Sequence, residues 1–166
     1  MPSLQKDLQE LQRQLHTGSI QRAYRGLLRY MADLRTHFKS RYPAYSVSGL
    51  YQGYFDMTYF ALVPPSLGPR GLKIAIVFNY GAFRFEAWLA ATNRQVQRQY
   101  WELLKDTRWA AYRVAAPAAG VDSIIECDLA DEFDLGDPDT LTVAIEKKVA
   151  KFTKDIERAL AHPAGK

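Results

Sequence analysis

The sequence predicts an α+β fold in which a small antiparallel sheet packs with helices from the N-terminus, the middle and the C-terminus of the chain. Three patterns carry that expectation. Leu4, Leu8, Leu11 and Leu15 repeat at the spacing of one helix face. Residues 72–91 alternate between apolar and polar side chains on either side of a turn. Leu141, Ile145, Val149, Phe152, Ile156 and Leu160 form a second long helical stripe.

The elements follow in order. Ser3 is a plausible cap for the first helix, and Thr17, Gly18 and Ser19 interrupt it. A second helix presents Ile20, Ala23, Tyr24, Leu27, Leu28, Met31, Leu34 and Phe38 on one side, with Arg22, Arg25 and Arg29 largely opposite. Tyr42-Pro43 ends it, because the residue before a proline is pushed out of the helical region.

Residues 46–63 read as a strand whose odd positions, from Val47 through Tyr51, Phe55, Met57 and Tyr59 to Val63, face the core. The proline-rich stretch 64–71 is a loop. Leu72 to Phe78 and Phe83 to Ala91 form a hairpin around residues 79–82, completing a three-stranded meander. A four-residue turn pairs Phe78 with Phe83, Ile76 with Phe85, Ile74 with Ala87 and Leu72 with Leu89, all apolar.

Thr92 with Gln95 reads as the capping box of a middle helix running to Lys105. Ser123 to Leu129 is a fourth strand, and Asp137-Pro138 starts the last helix. With 166 residues, no internal repeat and no long linker, residues 1–166 are expected to form a single domain.

Composition excludes several classes. Cys127 is the only cysteine, so no intramolecular disulfide and no multi-cysteine zinc site exists within one chain. No stretch reaches the roughly 18 apolar residues of a membrane span, and the start reads as an amphipathic helix rather than a signal peptide, so the expected address is the cytoplasm. The net charge of +4 is unevenly spread. Eight basic residues stand against three acidic ones over residues 1–41, whereas residues 121–140 hold eight acids and no base. Those segments form opposite electrostatic poles or face each other.

The chemistry concentrates on the non-core face of the predicted sheet. Strand alternation puts Tyr54 and Asp56, Lys73, and Arg84, Glu86 and Trp88 on that face, and Asn93 and Arg94 open the helix that follows. Two carboxylates, two cations and aromatic rings suit a polar or anionic ligand, and the free N–H groups of a helix start add to anion affinity. The plain alternative is a solvated face stitched by ion pairs, against which Trp88 argues, since an indole seldom faces open water unpartnered.

Restriction-type nucleases place a carboxylate on one strand and Glu-x-Lys on the next. Here Glu86 is followed by Ala87 and Trp88, so that metal pattern is broken. The acids of 128–139 lack calcium-loop spacing, and His16, His37 and His162 lack ligand spacing. No phosphate-binding glycine loop, nucleophile elbow or kinase signature occurs, so neither metal nor cofactor is expected.

The runs YQGYFDMTYF and LKIAIVFNYGAFRFEAWLAATNRQVQRQYW, with the Ser123 strand and the last helix, resemble an uncharacterised family of small bacterial cytoplasmic proteins, a domain of unknown function. FEAWL followed by NRxxQxxYW is the specific part. The resemblance implies fold and cytoplasmic address but no activity and no catalytic residue. The expectation for function is a protein that binds a polar or anionic ligand through Tyr54, Asp56, Lys73, Arg84, Glu86, Trp88, Asn93 and Arg94. The alternatives are a hydrolase using Asp56 and Glu86, or a nucleic-acid module using the Arg22, Arg25, Arg29 stripe.

Overall fold

A computed structural model describes residues 1–163. The chain folds as α1 (Leu4–Thr17), α2 (Ser19–Arg41), β1 (Ser46–Val47), β2 (Met57–Val63), β3 (Leu72–Asn79), β4 (Arg84–Ala91), α3 (Arg94–Leu104), β5 (Arg113–Val114), β6 (Ser123–Ala130) and α4 (Pro138–Ala161), with a single 3-10 turn at Gly68–Arg70. The strands make one antiparallel sheet in the order β1-β2-β3-β4-β6-β5. The α+β class is as expected, but the sheet has six strands rather than four. The two edge strands are two residues long, too short to leave a periodic signal in the sequence.

Helices α2, α3 and α4 pack on one sheet face. Met31, Leu34 and Phe38 of α2 and Ile145, Phe152 and Ile156 of α4 are buried against Phe60, Leu62, Ile74, Ile76, Phe78, Phe85 and Leu89. Asp137 caps α4 by accepting from the Thr140 N–H, with Pro138 at its first turn.

Three expectations of local geometry are corrected. Phe78 pairs with Phe85, Ile76 with Ala87, Ile74 with Leu89 and Leu72 with Ala91, two residues along from the predicted pairing. Phe83 belongs to the turn, at φ 54°, and its ring lies over Phe133 and edge-on to Phe78. A slip of two preserves which side chains face the core, because the strand period is two.

The second correction reverses a face. The strand starts only at Met57, since Gly53 (φ 77°) and Phe55 (φ 61°) turn the chain before it. Its even residues Thr58, Phe60 and Leu62 are buried in the core, opposite Phe78, Ile76 and Ile74, so Met57 and Tyr59 face the other way. A third, smaller one concerns α3: its cap is Asn93, which accepts from the Val96 N–H, rather than Thr92.

Candidate functional site

The second face of the sheet is built in rows. Ala61, Ala75, Trp88 and Glu126 form one row across β2, β3, β4 and β6, and Tyr59, Val77, Glu86 and Asp128 form the next. Ala75 and Ala90 supply small side chains to the middle of the face, with Met57, Tyr59, Lys73 and Trp88 around them. Short side chains ringed by long ones leave a hollow of about 260 Å3, closed at one end by Thr92, Asn93, Arg94, Gln97 and Asp122.

Lys73, Trp88, Asn93 and Arg94 of the expected site line this hollow. Arg84 and Glu86 lie on the same face but outside it. Tyr54 and Asp56 are not on the strand face at all. Tyr54 is exposed, and the Asp56 carboxylate accepts the Tyr54 N–H at 2.8 Å within the turn before β2. That bond and a second from the Met57 N–H hold its carboxyl below the usual range. Asp56 is a turn residue by the ordinary chemistry of Asx side chains.

Glu86 is 1% exposed although it is a carboxylate on the non-core face. Arg84 Nε donates to its Oε1 at 2.6 Å, Trp88 Nε1 donates to its Oε2 at 2.7 Å, and Arg113 Nη2 stands 3.6 Å away. Asp128 pairs with both Arg84 and Arg113, and Glu126 pairs with Arg113 while accepting the Ser123 hydroxyl. Two guanidinium groups and three carboxylates thus interlock beside the hollow. Buried charge is tolerated only when paired in this way. The network also fixes the indole, because its one polar edge is held by Glu86 while the ring borders the hollow.

At the closed end, Arg94 donates to Gln97 Oε1 at 2.7 Å, to the Val121 carbonyl and to Asp122 at 3.1 Å. Gln97, itself buried, donates to the Val121 and Ser123 carbonyls. Arg94 therefore ties α3 to the start of β6. Lys73 differs: it has no ion-pair partner among the described residues.

The first part of the acidic segment is neutralised locally. Asp122, Glu126 and Asp128 pair with Arg94, Arg84 and Arg113, not with the basic residues of α1 and α2. Arg22, Arg25 and Arg29 are exposed on α2. Among the described residues, no group of three or more His, Cys, Asp and Glu side chains is disposed to hold a metal ion. No helix among them is long and apolar enough to cross a membrane.

Sequence reasoning missed Met57 and Tyr59 because the phase of β2 was inverted, and Arg113 because β5 is too short to see. Gln97 stood in view within NRxxQ, three residues after Arg94 on one side of a helix.

One family model matches the chain, over residues 4–160, and its description reads "Domain of unknown function (DUF7000)". No curated protein matches. No solved structure matches.

Proposed function

The chain belongs to this family, a domain of unknown function, and from the site itself we propose that the protein binds a small amphipathic anion in the hollow beside Trp88. The observation that carries the reading is Lys73, a cation without an ion-pair partner among the described residues, standing on the rim of an otherwise apolar floor. Neighbouring charges are nearly all committed: Arg84 and Arg113 to carboxylates, Arg94 to Gln97, Val121 and Asp122. An anionic group on the ligand would meet the Lys73 ammonium, and its apolar body would lie over Ala75 and Val77 against the indole. Pre-organisation of Trp88 by Glu86 favours such binding, since little side-chain freedom is lost on contact.

Hydrolysis by Asp56 and Glu86 has no comparable support. Neither carboxylate lines the hollow, and each is occupied by hydrogen bonds within the fold. The test is a screen of small carboxylates and phosphates monitored by Trp88 emission, after Trp101→Phe and Trp109→Phe make the signal local. Saturable quenching in the parent and its loss in Lys73→Met are the expected results. A ligand response that survives Lys73→Met counts against the reading.

Nucleic-acid binding has one specific feature in its favour: Arg22, Arg25 and Arg29 are exposed and carry no carboxylate partner among the described residues. Replacing all three by Gln should then abolish any salt-sensitive binding to DNA or RNA. Absence of binding by the parent protein at low salt removes that reading.

A further inference from the structure

We infer that α1 is a dimerisation arm, its leucine stripe pairing antiparallel with the same stripe of a second copy of this chain. Leu4, Leu8, Leu11 and Leu15 are 74%, 48%, 49% and 41% exposed, and no residue of α1 is buried. A helix of 14 residues that buries nothing is not stable on propensity alone in water. Gly18, at φ 74°, bends the chain between α1 and α2 and closes α1 with a bond from its N–H to the Leu15 carbonyl. The arm's main contacts are with α2, and its apolar side is left largely exposed.

The spacing selects a helix as the occupant, and the residues flanking the stripe suit a second copy of this one. Intervals of four, three and four residues make the narrow seam of a helix pair rather than the broad stripe that seats a helix on a globular core. Between Leu8, Leu11 and Leu15, with Gln12 and His16 beside them, lies a shallow open dip of the kind a knob side chain from a facing helix enters. The seam is flanked by Gln5, Gln12 and Gln14 with Asp7 as the one charge, so two copies meet without a like-charge pair. In the antiparallel arrangement Leu4 faces Leu15 and Leu8 faces Leu11, Asp7 comes near Gln14 and Gln5 near Gln12 across the seam, and the helix dipoles oppose. A lipid surface would call for a basic polar side. Here Lys6 and Arg13 are balanced by Asp7 and Glu10, with Arg13 held to Glu10 at 2.6 Å.

Sedimentation equilibrium across a concentration series on the full chain tests the inference. The parent protein is expected to dimerise. Leu8→Ala/Leu11→Ala, which keeps helix propensity, should weaken the dimer roughly a hundredfold or more. Leu8→Glu/Leu11→Glu should sediment as monomer and still melt cooperatively, its midpoint lowered only by the loss of the concentration-dependent stabilisation that dimerisation supplies, because neither leucine is buried in the body. Val143→Glu, at another exposed apolar residue, should leave the dimer intact. A parent that is monomeric throughout overturns the inference, whether or not it sediments with phosphatidylcholine vesicles. So does a dimer whose affinity is the same in Leu8→Glu/Leu11→Glu.

Discussion

Trp88 donates its indole N–H to the Glu86 carboxylate at 2.7 Å, and the two residues stand two apart on β4, so both project from the same side of the sheet. The bond lets a tryptophan border a hollow without stranding its polar edge, and it satisfies one lone pair of a carboxylate that is almost wholly buried.

Glu86→Gln tests that arrangement. The amide keeps an acceptor for Trp88 but removes the charge that faces Arg84 and Arg113. Asp128 still pairs with both guanidinium groups, and both are partly exposed, so the cost should stay near 1–3 kcal/mol rather than that of a fully buried broken pair. Urea melts read it directly. A change within about 0.5 kcal/mol would mean the carboxylate behaves as a solvated surface group.

Phe85→Ala probes the core side of the same strand. The ring is fully buried, with Phe78 and Phe133 centred 4.9 Å away and Tyr30 at 5.5 Å. Truncation should cost about 3–5 kcal/mol in denaturant melts. A loss under about 1 kcal/mol would show that these rings do not form a packed core.

These two residues also mark how far the sequence could be read. Phe85 was identifiable as core because strand alternation survives a register slip of two; its partner was not, since Phe83 and Phe85 are equally apolar and only the turn geometry separates them. Lys73, Trp88, Asn93 and Arg94 share one hollow for the same reason, all lying on or next to a long, regular hairpin. Tyr54 and Asp56 went astray because Gly53 and Phe55 take positive φ and end the periodicity on which the inference rested. The floor of the hollow is a matter of size contrast between Ala75 or Ala90 and their ring of larger neighbours. That contrast becomes visible only when the cross-strand register is known.

Acid should weaken the fold through two carboxyls. Burial would raise Glu146, but hydrogen bonds from His37 and Tyr42 and the charge of Arg41 outweigh it and hold the group below its ordinary 4.5. Asp155 is likewise drawn below 3.8, against the effect of burial, by Lys151 and Tyr112. A carboxyl whose folded value is lowered contributes stability above its unfolded value, and that contribution is lost as pH falls through the folded one. Stability should therefore decline from about pH 5 downward, and Glu146→Gln should flatten the decline. Equal slopes in parent and variant would remove the assignment.

Cys127 should be inert in the native protein. Its thiol is pushed up to about 11, chiefly by burial, with the nearby Lys148 charge opposing. Only the thiolate is a good nucleophile, so reaction with a disulfide reagent near pH 8 should be slow in buffer and rapid in denaturant. Prompt native labelling would mean that the sheet opens at β6.

The decisive contrast lies between two cations of the hollow. Arg94 is built into the fold by three acceptors, on Gln97, Val121 and Asp122, so Arg94→Met strands the buried Gln97 side chain without one partner and removes one of the ties between α3 and the start of β6, the Gln97 bonds to Val121 and Ser123 remaining. A stability loss of about 1–2 kcal/mol is expected, moderated by the exposure of Arg94. Lys73 has no ion-pair partner among the described residues, and its stem lies beside apolar neighbours that a methionine can still cover. Lys73→Met should thus leave the melt within about 0.5 kcal/mol of the parent while removing the response of Trp88 to anions. The two variants separate architecture from recognition: one should move stability, the other binding. If Lys73→Met destabilises the protein as much as Arg94→Met, the lysine is a structural group and the hollow loses its proposed anion contact.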